Sequence, residues 1–257
     1  MLITKTPATE TMNIVDSNSN PAPEPIASWG HFIGFLLIMA GTAALGFQAQ
    51  RAAGASPAGA SAGDLASHSK AISVYLVAGI MDWALLYYCW VGVHKRRGNL
   101  FSLTGGRWKT WRSLANDIAV TVPFWALWEA TAYGVHWILG PSTAKTVDSL
   151  LPHSLLEVVL WIAVSITAGF CEEIVFRGYV QRQFHALTAN LPVAVIAQAL
   201  VFGVAHSYQG WKAVVVIVVL GVLYGVLAAW RRNLRVNIVS HAATDIWEGW
   251  LKQVIWR

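Results

Sequence analysis

In the segment Cys171-Glu172-Glu173-Ile174-Val175-Phe176-Arg177, two adjacent carboxylates and an arginine interrupt an apolar run that begins near Leu155. A charge at lipid depth costs roughly 2.5–3.5 kcal/mol on insertion scales, so an acidic pair here must face protein or a water-filled cavity. On one helix Glu173 and Arg177 are four apart and share a face, while Glu172 points about 100° away. The pair Glu173 and Arg177 is therefore read as structural and tuning, and Glu172 as the free acid. A carboxyl group left unpaired in apolar surroundings is suited to taking a proton from water.

Further ionisable residues recur in later apolar stretches: His206, then His241 with Asp245 four residues on. Depth decides whether they meet. Arg177 can snorkel to the interface, which puts Glu172, five residues earlier, about 7–8 Å further in along the helix. His241 lies roughly 9 Å beyond Arg235, a matching depth. His206 is about 24 Å from Asn190, and joins the others if the 177–190 segment projects well out of the bilayer. Asp245 shares a face with His241, so it is expected to orient the imidazole or to share a ligand with it. Phe202, one turn before His206, is read as core packing or a pocket wall.

The elements that carry these residues follow from composition. Of 257 residues 56% are hydrophobic and 12% charged, and the mean hydropathy is +0.50, too apolar for a soluble domain. The expectation is an all-α polytopic transmembrane bundle of about seven spans, six to eight, near 29–47, 72–93, 114–139, 155–184, 192–206, 213–230 and 236–255. Residues 1–28 are expected to form a disordered polar tail, and 29–257 the transmembrane domain with its chemical core at about 150–250. The net charge of +5 does not point to nucleic acid, because the basic residues sit in short connections. Six Lys or Arg lie between His94 and Arg112. With 177–190 and 231–235 that connection is expected on the cytoplasmic side. Cys89 and Cys171 have no disulfide or metal-finger spacing.

Glu172-Glu173-x-x-x-Arg177, Phe202-x-x-x-His206 and His241-x-x-x-Asp245, in this order on successive hydrophobic segments, resemble the three motifs of the CPBP family of intramembrane proteases. That family is also called the Abi or CAAX amino-terminal protease family, and its eukaryotic members are the type II CAAX prenyl endopeptidases. The resemblance implies an endopeptidase in which Glu172 and His206 activate a water, while His241 and residue 245 hold it or stabilise the oxyanion. The family commonly has Asn at the last position, and an ionised Asp245 cannot donate a hydrogen bond.

Two mechanisms stay open at this point. Glu172, His206, His241 and Asp245 are ligand types suited to zinc, whose bound water ionises near pH 7. Alternatively Glu172 acts as a base without metal. The expected partners are a membrane-associated peptide or protein substrate and the lipid bilayer, with no nucleic acid, in the plasma (inner) membrane of a bacterium. The rival functions are a proton-coupled transporter and a non-catalytic membrane scaffold.

Overall fold

Backbone in a hydrocarbon layer must satisfy its hydrogen bonds internally, which a helix does within one segment. The computed structural model, which describes residues 23–55, 64–106, 108–140, 150–251 and 255, is accordingly helical, with no strand among those residues. Its helices are α1 (Trp29–Ala55), α2 (Asp64–Lys95), α3 (Trp111–Leu139), α4 (Leu155–Glu172), α5 (Gln181–Thr188), α6 (Leu191–Ala205), α7 (Trp211–Arg231) and α8 (Arg235–Ile246). Between α4 and α5 the chain stays helical but widens to a π-helix, Glu173–Val180, and α8 runs into a second, Trp247–Leu251.

Helix ends follow local sequence. Thr110 and Ser113 form a capping box at α3, and Ser154 with Glu157 does the same at α4. Asn190 caps α6, with Pro192 in its first turn. Ala189 and Arg232 take left-handed backbone to end α5 and α7.

Seven helical passages match the expected number, but they are not equal. Among the described residues four stretches are long and apolar enough to cross a membrane: Trp29–Ala52, Ser69–Lys95, Leu155–Thr188 and Trp211–Arg231. The expected fifth span is a 15-residue helix, about 22 Å long at 1.5 Å per residue, and α8 is shorter still. The spans expected at 29–47 and 72–93 continue as helix toward each other, to Ala55 and from Asp64. Most of the expected tail lies outside the described residues.

Contacts sort the connections into two ends. Ile26 and Ala27 donate to Gln183 Oε1 at 2.8 and 3.2 Å, Tyr88 donates to His31 O at 2.9 Å, and Arg235 donates to Gly105 O at 3.1 Å. The three basic connections thus lie at one end. Asp117 clamps it, accepting from Arg231 at 2.5 Å, Arg235 at 2.7 Å and Trp108 Nε1 at 2.8 Å. At the other end Ser207 donates to Ala43 O at 2.8 Å and Tyr75 donates to Leu150 O.

Small residues set how closely the site-bearing helices approach. A Cβ on Gly169 would stand 2.7 Å from Ala242 N and 2.9 Å from Ile238 O, so α4 and α8 touch there, one turn from Glu172. Gly203 meets Val214 O of α7 in the same way. Close backbone approach of this kind drives helix association in membranes. Gly169→Leu is therefore expected to spread α4 from α8, costing about 1–3 kcal/mol by overpacking. Its thermal melt in detergent should fall and peptide cleavage should drop at least tenfold. Wild-type behaviour on both counts would show that the contact does not set the site.

Candidate active site

The site is built on an internal anchor. Glu173, fully buried, accepts from Arg177 NH1 at 2.9 Å and from His241 Nδ1 at 2.8 Å on Oε1, and from Asn237 Nδ2 at 3.1 Å on Oε2. Both partners of the ion pair are 0% exposed by side chain. A pair so deep persists only when the remaining polar groups are compensated. Arg177 meets that condition partly through rings, its guanidinium 4.4 Å from the Phe202 centroid and 5.3 Å from that of Tyr224. Phe202 is thus both packing and pocket wall: its ring lies against Arg177 and, at 4.7 Å, against His206.

The π-helix explains why the anchor fits. All eight residues from Glu173 to Val180 are buried, and the wider turn keeps the four-residue Glu173–Arg177 pairing while recessing both from the surface. Such segments recur at functional sites. Glu172, the last residue of α4, stands outside the anchor with its side chain 18% exposed. The sequence distinction between the two acids corresponds to this geometry.

Two histidines flank Glu172. From it the chain runs on to Thr188 before turning, and α6 retraces that length, which returns His206 to the same level. His206 lies just past the end of α6 and not within it. Its Nε2 is 4.0 Å from Glu172 Oε1, and His241 Nε2 is 3.6 Å from Glu172 Oε2. His206 Nδ1 is 2.8 Å from Phe202 O. A carbonyl oxygen only accepts, so Nδ1 carries the hydrogen and neutral His206 turns a lone pair toward Glu172. Glu173 holds the Nδ1 hydrogen of His241 in turn.

Asp245 stands beside the His241 ring without hydrogen-bonding it. Its Oδ2 stands 3.7 Å from Nε2, beyond hydrogen-bond range, and Nδ1 is held by Glu173 instead. Asp245 has its own support, as Trp161 Nε1 donates to its backbone oxygen at 3.0 Å and the Trp161 ring packs on Gly249.

Metal fit depends on convergence. The two imidazoles address different oxygens of Glu172, and among the described residues no group of three or more His, Cys, Asp or Glu side chains is arranged to hold an ion. The donor types suit zinc, but this arrangement does not fit a metal centre.

Three participants were not singled out from sequence. Asn237 is detectable in principle, four residues before His241 and on its face, and it also donates to Tyr224 O at 2.9 Å. Asp82 of α2 lies within electrostatic reach of Glu172, His241 and Asp245, and Tyr208 within reach of Glu172, Asp245 and Asp82. Neither belongs to a motif.

Comparison with curated proteins and with solved structures gives no match. Residues 154–247, which carry Glu172, Glu173, Arg177, Phe202, His206, His241 and Asp245, match the family model described as Type II CAAX prenyl endopeptidase Rce1-like. Over that stretch the chain is similar to the Rce1-like type II CAAX prenyl endopeptidases, as its three motifs lead one to expect.

Proposed function

We propose that this protein hydrolyses a peptide bond of a membrane-bound substrate on the cytoplasmic side of a bacterial plasma membrane, with Glu172 as general base. One observation carries the reading: a single partly exposed carboxylate has an oxygen facing each of two Nε2 atoms, while the adjacent Glu173 is locked away. A water between Glu172 and His206 has an acceptor for each hydrogen. Glu172 takes one proton as the oxygen attacks, and His206 Nε2 holds the other. His241, in its cationic form, donates from Nε2 to the carbonyl oxygen as negative charge grows there, with Glu173 and Asp245 balancing the imidazolium.

The family description gives the substrate class to try first, a prenylated C-terminal Cys-aliphatic-aliphatic-X sequence. Purified protein in phospholipid vesicles should cleave a quenched peptide carrying S-farnesylcysteine in that setting. Proton flux from the same vesicles without cleavage would instead favour a transporter, whose ionisable groups form a relay across the bilayer.

Asp245→Asn separates two roles for the third-motif acid. As a charge partner standing back from Nε2, Asp245 should be replaceable, and Asn is expected to keep cleavage within about tenfold, consistent with the modest worth of a partly exposed charge. Turnover above wild type would reassign position 245 to oxyanion donation.

A further inference from the structure

The reading above leaves the leaving nitrogen without a dedicated proton donor. Both histidines commit their Nδ1 hydrogens, His206 to Phe202 O and His241 to Glu173. His206 Nε2 then only accepts, and the Nε2 hydrogen of cationic His241 is engaged by the carbonyl oxygen. Glu173 and Arg177 neutralise each other.

Asp82 is the unused acid. It lies in α2 about 20 Å from Lys95 along the helix, so it sits at membrane depth, and it forms no hydrogen bond or ion pair with any described residue. Nothing in the packing accounts for it. The register of α2 on α4 places it: Tyr75 meets Trp161 with ring centroids 5.4 Å apart, Gly79 faces Val164, and Trp83 meets Phe170 at 6.0 Å. The two helices run parallel, so Asp82 is level with the turn of α4 that ends at Glu172. Glu172, Asp245, His241, Cys171 and Tyr208 are the groups that feel its charge. Three carboxylates, Asp82, Glu172 and Asp245, thus lie within electrostatic reach of one another. A carboxyl group beside a carboxylate base is placed to exchange a proton with it.

We propose, building on the reading of Glu172 as base, that Asp82 is a catalytic residue that protonates the leaving nitrogen. As water oxygen bonds to the carbonyl carbon, its proton passes to Glu172. The C–N bond then breaks with its electron pair going to nitrogen, and Asp82 gives that nitrogen a proton. The products are a carboxylic acid and an amine, and transfer from Glu172 to Asp82 restores both acids. No outside oxidant or co-reactant enters. This role places a catalytic group on a helix outside the 154–247 stretch.

The test compares two leaving groups on one acyl group, with the full-length protein in vesicles. The first compound is the S-farnesylcysteinyl peptide and the second the p-nitrophenyl ester of N-acetyl-S-farnesylcysteine, whose leaving phenolate needs no proton. Asp82→Asn should lower peptide cleavage at least 100-fold, within the range for loss of a general acid, while ester hydrolysis stays within about threefold. Asp82→Glu should restore peptide cleavage to within about tenfold of wild type. It also serves as the deciding variant should Asn fail to yield folded protein by gel filtration. Equal loss on both compounds, loss on neither, or a Glu variant as dead as Asn would overturn the assignment. Failure of the parent reading looks different: Glu172→Gln would then still cleave the peptide, or wild type would cleave neither compound, and the role of Asp82 would fall with it.

Discussion

Glu172→Gln should reduce peptide cleavage about 1,000-fold, the middle of the range for general acid–base groups, while leaving folded yield unchanged. That loss corresponds to about 4 kcal/mol of activation free energy. Yield should hold because the replacement is isosteric and Glu172 stands outside the buried Glu173–Arg177 anchor. The new amide can donate to the His206 lone pair that now faces another acceptor, 4.0 Å away. A thermal melt at or slightly above that of wild type is therefore expected. The outcome against it is a variant that still turns over at more than a tenth of the wild-type rate, since no other group in the site faces both Nε2 atoms.

Glu173→Gln should do the opposite. It leaves the buried Arg177 guanidinium without its counter-ion, and breaking such a pair costs about 3–5 kcal/mol, comparable to the whole stability of many domains. The expectation is a sharp fall in folded yield in detergent. The double variant Glu173→Gln with Arg177→Met tests the cause, because removing both charges is often neutral or stabilising. It should recover most of the yield. Activity should not return, since His241 would have lost the anion that fixes its tautomer and balances its charge. The coupling between the two substitutions is the quantity to measure. Independent, additive losses would mean that the pair is not the anchor.

The fold class was legible because a bilayer admits so few backbone solutions, and long apolar stretches such as 213–230 had no other reading. Helix ends were less legible: α1 and α2 continue beyond their apolar segments, where propensity and not hydropathy governs. Within the site, contacts along one helix could be read from spacing, as Glu173 with Arg177 shows. Contacts between helices could not. The spacing rule offered Asp245 as the partner that orients His241, four residues away, but the orienting carboxylate comes from the π-helix, 68 residues earlier in the chain. Asp82 was hidden for the same reason. Nothing in a sequence marks which face of α2 turns toward α4. The place of His206 just after α6 followed from antiparallel retracing, which spacing stated only as a condition.

The π-helix makes the length of this stretch as consequential as its composition. Each residue turns an α-helix by about 100°, and the segment from Glu173 to Val180 carries its extra span by bonding five residues back, as Gln181 N does to Phe176 O. Deleting one codon within 176–180 would let ordinary four-residue bonding close over the gap. The helices on either side would keep their places, with Gln181 on Gly225 O and Gln183 on the backbone of Ile26 and Ala27, because the bonds five residues back become bonds four back between the same turns. The wide turn itself would be lost, and with it the setting in which Arg177 is buried against Glu173 and Phe202. Homologous chains that keep this anchor should therefore also keep the number of residues in the stretch.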